Sequence, residues 1–355
     1  MSILTKYILK KYLLNFIIVL ASLEIFFVGI DFLQNFKSIP HSANLQILYV
    51  LYMTFFTLTI TLPLSIAFAW IVTLVIFIKN NEFVAFNALG ATSKKIILPV
   101  INISVLLLTL LISLQMTPLA YSSDQKRKIL DNEYFTNTKN DIFLKYNDYY
   151  VYFEKLFPLE KRAENIHIFK IDDMDVVETI VGEKAYFQND KWYVVDVKIT
   201  NKPKDLIVDE SKLDIRYEKF LHTLDGFKPK ILDNVYDSKS DFSIIDAVSA
   251  VILLNTQGIN TDKIRSILYN LMVVPFFVLP LLLLIFAYAA LNSRFFNIAK
   301  FTSFSIFGTL VIWGIFFVLY KFTNGGVLIP EISILLPMFF WMIISLYLYN
   351  KKTNS

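Results

Sequence analysis

The chain has 355 residues, of which 55% are hydrophobic and 18% charged, and its mean hydropathy is +0.54. This composition is too apolar for an ordinary soluble domain, and the formal net charge of +4 gives no support for a nucleic-acid-binding protein. Cysteine is absent, which excludes disulfides, thiol catalysis and cysteine-ligated metals. The composition therefore indicates an integral membrane protein.

Apolar stretches long enough to cross a bilayer, which takes about 20 residues, occur six times. They predict six transmembrane helices, at residues 12–33, 47–78, 96–119, 265–291, 301–322 and 332–350. The second stretch is longer than one span requires, and Pro63 inside it predicts a kink. The first has a basic start, but its apolar run is too long for a cleaved signal peptide, so we expect a retained helix.

Basic residues of the short loops fall mainly on one side of the predicted helices. They are Lys6, Lys10, Lys11, Lys79, Lys94, Lys95, Arg294, Lys300, Lys351 and Lys352. The short loops of the opposite side carry Lys37 and Lys321. The positive-inside rule then predicts a multi-pass membrane protein with both termini in the cytoplasm. The polar block between the third and fourth spans is expected outside the membrane, which is the periplasm if the cell is Gram-negative.

That polar block predicts a folded β domain inserted between two groups of three helices. Runs rich in β-branched and aromatic residues alternate apolar and polar positions, the pattern of half-buried strands, at residues 148–154, 165–170, 191–198 and 213–218. Many short antiparallel strands favour a sandwich, an open barrel or a jellyroll-like domain. The expected order is helices 1–3 in residues 1–120, the β domain in 121–240, a connecting amphipathic helix in 241–262, and helices 4–6 in 263–355.

The connecting helix has recognisable ends. Ser243 and Asp246 stand in the spacing of a capping box, and Gly258 is a typical helix stop. Its broad apolar face suits either a position at the membrane interface or packing beneath the β domain.

Catalytic motifs are absent from the sequence. It has no phosphate-binding G-x-x-x-x-G-K-[ST] loop, no H-E-x-x-H and no G-x-S-x-G. Its three histidines, His41, His167 and His222, lack the spacing of metal ligands. We therefore expect neither an enzyme nor a cofactor.

A short segment between the second and third spans predicts a cytoplasmic helix at about residues 80–92. Glu82 lies near its start, Phe83, Phe86 and Leu89 form an apolar face, and Gly90 ends it. Two interpretations stand equally: a loop lying on the membrane surface, or a helix docked in a groove of a cytoplasmic partner.

Two ionisable residues of the first helix are each open to two interpretations. Glu24 lies inside the apolar stretch, either paired with a neighbouring hydroxyl or lysine or serving as a polar point in a substrate path. Lys37, at the outer end, either extends to the lipid head groups or meets a phosphate on an anionic lipid.

Four local stretches, in order, resemble motifs of one known family. They are residues 5–10 (TKYILK), similar to an R-Y-[IL] opening; residues 81–92, similar to E-[LI]-x-x-[ML]-x-[AS]-x-G; Ala185 followed by Trp192, similar to A-x(n)-W; and Pro330 with Pro337, similar to P-x6-P. With the predicted topology they mark a full-length resemblance to the LptF/LptG (YjgP/YjgQ) permeases of lipopolysaccharide export. Residues 31–36 (DFLQNF) look more like the LptG branch.

The resemblance implies a transport subunit and its partners. These are a second, LptF-like permease, a dimeric LptB-like ABC ATPase in the cytoplasm, a single-span LptC-like protein, lipopolysaccharide and membrane lipid. ATPase coupling is implied for Glu82, Phe83, Phe86 and Gly90, and substrate binding for Glu24, Phe26, Phe27, Phe32 and Lys37. Lys37 matches a basic position of the family that meets lipid A phosphates, whereas Asp31 falls where some members carry lysine.

Two other classes compete with this interpretation. A MacB- or FtsX-like mechanotransducer also combines spans, a periplasmic domain and a separate ATPase, but it usually has four spans with the domain after the first. A membrane-embedded enzyme of envelope lipids would need a catalytic cluster, and Glu24, Asp31 and His41 lack partners at a familiar spacing.

Overall fold

The computed structural model describes residues 3–132, 139–146, 148–157, 160–172, 175–203, 213–227, 242–256, 260–289 and 297–353. These residues form two compact units. The helical unit comprises residues 1–131, 241–252 and 260–355, and the β unit comprises residues 132–240 and 253–259.

The helical unit contains long apolar helices and shorter connecting ones. They are α1 (Ile3–Asn35), α2 (Ala43–Lys79), α3 (Glu82–Ala88), α4 (Ser93–Gln115), α5 (Ser122–Leu130), α6 (Ile244–Thr256), α7 (Asp262–Met272), α8 (Val278–Tyr288), α9 (Ile298–Asn324) and α10 (Leu336–Thr353). Among the described residues, five helices are long and apolar enough to cross a membrane, and α7 with α8 makes a sixth if the bent pair is one span. The predicted six-span arrangement is confirmed in this form.

The fourth span differs from the straight helix predicted at residues 265–291. α7 and α8 meet at a bend of 46°, and a short 3-10 turn, Val274–Phe277, joins them. Pro275 lies in that turn, where a proline that lacks an N–H breaks the helical hydrogen-bond series. Pro63, by contrast, lies inside an uninterrupted α2.

The spans are unequally buried. In the most apolar 18-residue stretch of α2, 72% of the residues are buried, against 17% for α1 and 11% for α9. Because α2 has 37 residues, it extends about 55 Å, beyond the roughly 30 Å of a hydrocarbon core. α2 is therefore the central helix of the unit, and α1 and α9 lie at its periphery.

The β unit is one antiparallel sheet of six strands in chain order. They are β1 (Lys139–Tyr146), β2 (Tyr149–Phe157), β3 (Arg162–Asp172), β4 (Asp175–Gln188), β5 (Lys191–Asn201) and β6 (Asp214–Thr223). The predicted turn at Asn189 and Asp190 joins β4 to β5, and both residues have positive φ. The inserted β domain is thus confirmed as a sequential sheet.

One face of the sheet holds the core of this unit. Buried residues alternate along β5, where Trp192, Val194, Val197 and Ile199 face inward. The Trp192 indole N–H donates to the Phe227 carbonyl at 2.7 Å, so the largest buried side chain also satisfies its polar atom. Ala185 on β4 pairs with Val194 and is fully buried.

The segments before and after the β insertion meet through Tyr121 and Asp246. The Tyr121 hydroxyl donates to the Asp246 carboxylate, and Asp246 N–H donates to Ser243 Oγ at 3.1 Å, as a helix cap does. Burial, reinforced by the Asp246 carboxylate, raises the pKa of Tyr121 above its ordinary value. The predicted cap at Ser243 is therefore formed, while the predicted stop at Gly258 lies outside the described residues.

Candidate functional site

The short helix α3 is fixed to the helical unit by two buried phenylalanines. Phe83 and Phe86 are 2% and 5% exposed, and both pack edge-on against Phe77 of α2, at centroid distances of 5.8 and 5.4 Å. Phe83 also contacts Phe286 near the end of α8 at 6.5 Å. These two side chains therefore set the position of α3 and are not on its exposed surface.

The exposed side of α3 consists of other residues. Val84 is 59% exposed and Leu89, just after the helix, 78%. Gly90 follows with φ +68°, a left-handed conformation that favours glycine, and the chain then turns towards α4. The apolar face that the sequence predicted is thus divided: the two phenylalanines are buried, and Val84 and Leu89 are exposed.

Glu82, the first residue of α3, has partners within the chain. Its Oε2 accepts a 2.8 Å hydrogen bond from the Tyr7 hydroxyl, and its Oε1 accepts one from Asn80 Nδ2 at 3.2 Å. The Tyr7 ring stacks on Phe77 at 6.3 Å and meets Phe86 edge-on at 6.4 Å. The amino-terminal end of α1 is thereby joined to α3, a contact that the sequence did not reveal.

The opposite end of α1 is joined to α5 by an ion pair. Lys126 Nζ lies 3.0 Å from Asp31 Oδ2, and the two side chains are 15% and 19% exposed. The Tyr49 hydroxyl donates to Asp31 Oδ1, and the ammonium lies over the rings of Tyr49 and Phe56 at 5.9 and 5.6 Å. Asp31 is therefore held in a structural cluster at this end of the unit.

The predicted lipid-binding residues of α1 fall into different surroundings. Phe26 is 58% exposed and Phe27 is also exposed, and their rings pack together at 5.6 Å. Phe32 packs instead against Phe36 and Tyr49, at 5.7 and 6.4 Å. Phe26 and Phe27 thus form an exposed apolar surface on α1.

Lys37 and Glu24 also have distinct surroundings. Lys37 is exposed just beyond the end of α1. The Glu24 carboxylate accepts hydrogen bonds from the hydroxyls of Thr57, at 2.6 Å, and Thr61, both on α2. Glu24 is therefore paired with neighbouring hydroxyls, as the first of its two interpretations expects.

A second polar cluster joins α7 to the start of the last span. Arg265 Nη1 lies 2.5 Å from Glu331 Oε1, its Nη2 contacts Asp262, and the Tyr269 hydroxyl donates to Glu331 at 3.0 Å. Glu331 begins a π-helical turn, Glu331–Leu335, that continues into α10. This cluster was not predicted from the sequence, although Arg265 at the edge of an apolar stretch is a signal that could have indicated it.

These contacts assign the helix ends to two sides of the unit. Tyr7 with Glu82 brings the start of α1 beside α3, and Lys352 Nζ lies 4.0 Å from the ring centroid of Tyr288, bringing the end of α10 beside the end of α8. The ion pair at Asp31 lies at the other end of α1. Within the described residues no group of three or more metal-ligating side chains occurs.

Comparison with known families decides the class. The family model of the lipopolysaccharide export system permease LptF/LptG matches residues 6–351. The chain belongs to the LptF/LptG permease family. No curated protein matches the chain. The family match covers nearly the whole chain, including both groups of spans and the inserted sheet.

Membership of the LptF/LptG family confirms the resemblance drawn from the local motifs and the predicted transport class. The family is one of membrane permeases for lipopolysaccharide export, which favours neither a mechanotransducer nor an enzyme of envelope lipids. Because the matched family is a joint one, the preference for the LptG branch stays a prediction, as do the individual partners and the roles of the site residues.

Proposed function

We propose that this chain is a permease subunit of an ATP-driven transporter that extracts lipopolysaccharide from the outer leaflet of the inner membrane. It works with a second permease, a dimeric cytoplasmic ATPase and a single-span protein, and it passes the lipid to a periplasmic bridge. Both termini and α3 lie in the cytoplasm, and the β unit lies in the periplasm, as the distribution of basic residues favours.

The observation that carries the proposal is the low burial of α1 and α9. Only 17% and 11% of the residues in their most apolar stretches are buried, whereas the figure for α2 is 72%. Two peripheral spans with exposed aromatic residues supply half of the wall of an apolar cavity, and a second permease supplies the other half. Phe26 and Phe27, with α9 and α10, would face the acyl chains.

The energetics require a partner. Transferring an acyl chain out of an apolar environment costs about 0.8 kcal/mol per CH₂ group, so extraction of a lipid with several chains needs an external energy source. The sequence contains no nucleotide-binding loop that could provide it. A cytoplasmic ATPase that moves α3 supplies the work in this proposal.

The β unit offers a surface for passing on the lipid. β6 is the last strand of the sheet among the described residues, and most of its side chains are exposed, including Tyr217 and Phe220. An exposed edge strand with apolar side chains can pair with a strand of a similar module. We assign the contact with the periplasmic bridge to this edge.

Photocrosslinking from α1 tests the substrate. A benzoylphenylalanine at Phe26 or Lys37 should give an ATP-dependent adduct with lipopolysaccharide in cells. The matched control is Phe16, a phenylalanine of the same helix that is buried, where no adduct is expected. Equal yields at Phe26 and Phe16, or no adduct at either exposed position in an assembled complex, would contradict the proposed substrate contact.

Co-purification tests the ATPase contact. Leu89→Arg and Val84→Glu change the exposed side of α3 and should reduce recovery of the ATPase with the permease. Val327→Arg, an equally exposed apolar residue in the loop before α10, is the control and should leave recovery unchanged. Full recovery with both α3 variants would mean that the ATPase binds elsewhere.

A further inference from the structure

Tyr7, near the amino-terminal end of α1, contacts α3. Tyr7 donates from its hydroxyl to Glu82 Oε2 at 2.8 Å, and its ring lies on Phe77 with an interplanar angle of 21°. Lys11, one turn further along α1, places its Nζ 5.8 Å from the same ring. Tyr7 thus contacts both the first residue of α3 and the end of α2 that precedes it.

Along the backbone, α3 is connected to the neighbouring helices by a turn on either side. Asn81, immediately before α3, has φ +56°, and Gly90, after it, has φ +68°. Apart from its two neighbours in the chain, no heavy atom of the described residues lies within 4 Å of a Cβ built on Gly90, so that turn is open. A short helix between two such turns can shift as a unit, and its side-chain contacts decide which neighbours follow it.

α1, in contrast, is one continuous helix. It has 33 residues, and the stretch from the Tyr7 contact to the cluster at Asp31 extends about 36 Å along its axis. The exposed Phe26 and Phe27 lie on its far half. A displacement at Tyr7 is therefore carried along α1 to the surface that the proposed function assigns to the lipid.

We infer that Tyr7 is a positioning residue that couples α3 to α1 through its hydrogen bond to Glu82. Movement of α3 by a cytoplasmic ATPase then moves α1 directly, and Glu82 acts within the chain as the acceptor of this contact. The inference rests on the proposed function for its context, and it adds α1 to α2 and α8, the helices that the phenylalanines of α3 contact.

The first test separates coupling from assembly. Tyr7→Phe removes one hydroxyl and keeps the ring against Phe77 and Phe86. In the purified complex with ATPase and partner permease, we expect unchanged ATPase recovery and thermal stability. We expect about a five- to tenfold loss of lipopolysaccharide released per ATP hydrolysed, the size expected for a typical hydrogen bond at an exposed site. The control is Tyr347→Phe, since the Tyr347 hydroxyl is exposed and makes no hydrogen bond to the described residues.

A second variant tests whether the hydroxyl acts through Glu82. Glu82→Ala removes the acceptor, so Tyr7→Phe should cause no further loss in that background, whereas Glu82→Gln keeps a carbonyl acceptor and should recover part of the coupling. Additive losses would overturn the inference. Loss of ATPase binding in Tyr7→Phe would also overturn it, because Tyr7 would then belong to the docking surface.

A distance measurement tests the same link without any lipid. The chain has no cysteine, so spin labels at Ile3→Cys and Val84→Cys, both exposed, report the distance between α1 and α3. Because Val84 belongs to the side of α3 assigned to the ATPase, the measurement uses the purified full chain without the ATPase. With Tyr7 present the distance distribution should be narrow, and with Tyr7→Phe it should broaden. An equally broad distribution in the wild type would disprove the link, whereas a failure of lipid release with a narrow distribution would count against the proposed function alone.

Discussion

Lys126 Nζ on α5 donates to Asp31 Oδ2 at the end of α1, at 3.0 Å, across 95 residues of sequence. The pair lies between Tyr49, Phe56 and Met53 of α2, with Met53 Sδ 3.5 Å from the ammonium. The acidic residue at a position where some family members carry lysine is therefore matched by a basic residue on the neighbouring helix. Charge at this end of α1 is neutralised within the chain.

Breaking this pair should destabilise the helical unit. Asp31→Ala leaves the mostly buried Lys126 ammonium among aromatic rings, and we expect the free energy of unfolding to fall by about 1–3 kcal/mol. Breaking a fully buried pair costs roughly 3–5 kcal/mol, and the loss here should be smaller because both side chains retain some exposure. Asp31→Asn combined with Lys126→Met removes both charges and should cost less than the sum of the single changes. Thermal unfolding in detergent measures the difference.

The control for this prediction is an exposed pair. Lys191 and Asp225 lie 2.8 Å apart on the β unit, with 51% and 65% exposure. Lys191→Met should change stability by less than about 0.5 kcal/mol, because exposed pairs contribute little. Equal losses at the two pairs would mean that burial does not strengthen the contact of Asp31 with Lys126.

Glu24 should be replaceable by glutamine without loss of the fold or of export. The Thr57 and Thr61 hydroxyls lie within hydrogen-bond distance of the Met53 and Thr57 carbonyls, at 2.9 and 3.1 Å, so each has an acceptor if the carboxylate is removed. Because hydrogen bonds between membrane helices average about 0.6 kcal/mol, we expect Glu24→Gln to change stability by less than about 1 kcal/mol.

An export assay beside the stability measurement distinguishes the two interpretations of Glu24. Thr59→Val is the control, since the Thr59 hydroxyl donates to the local Phe56 carbonyl. Normal stability with a large loss of export in Glu24→Gln alone would mean that the carboxylate forms a polar point in the substrate path.

Gly182 on β4 should not tolerate a side chain. A Cβ built there lies 2.2 Å from Val194 Cγ1 and 3.4 Å from Ile166 Cγ2, in the core of the sheet. Gly182→Ala should therefore destabilise the β unit by about 1–3 kcal/mol, and adding Val194→Ala should recover part of the loss by removing the clash. Gly308→Ala in α9, where nothing lies within 4 Å, is the control. Proteolysis of the full chain with fragment analysis measures the result.

Because of the contact of Tyr121 with Asp246, the free energy of unfolding should decrease at alkaline pH. Burial and the Asp246 carboxylate raise the pKa of Tyr121 above 10.0, so this contribution is complete below that pH and declines as the pH rises towards the folded-state pKa. Tyr121→Phe should cost about 1–2 kcal/mol at neutral pH. Above about pH 10, the free energy of unfolding should fall more steeply with pH for the wild type than for the variant. Denaturant unfolding at a series of pH values measures this difference. Parallel pH profiles would disprove the contribution of Tyr121.

Features that depend on neighbouring residues could be predicted from the sequence. The six apolar stretches, the strands β2, β3, β5 and β6 and the cap at Ser243 follow from hydropathy, alternation and spacing within short windows, whereas β1 and β4 were not predicted. The bend at Val274–Phe277 was not predicted, even though Pro275 was visible, because proline is compatible both with a kink inside one helix and with a break between two.

The packing of Phe83 and Phe86 could not be predicted from hydropathy patterns. With Leu89 they formed one apolar face in the sequence, but periodicity gives the direction of a face and not the molecule against which it packs. Phe77 and Phe286 occupy that face in the structure, leaving Leu89 exposed.

Hydropathy and alternation depend on adjacent residues, so they were sufficient to predict a six-span membrane protein with an inserted β domain and no motif for hydrolysing ATP. The folded structure was needed to show that Tyr7 meets Glu82, that Asp31 meets Lys126 and that Arg265 meets Glu331, pairs separated by 75, 95 and 66 residues. Each contact depends on the rotation and axial register of two packed helices, which the packing of the whole unit fixes.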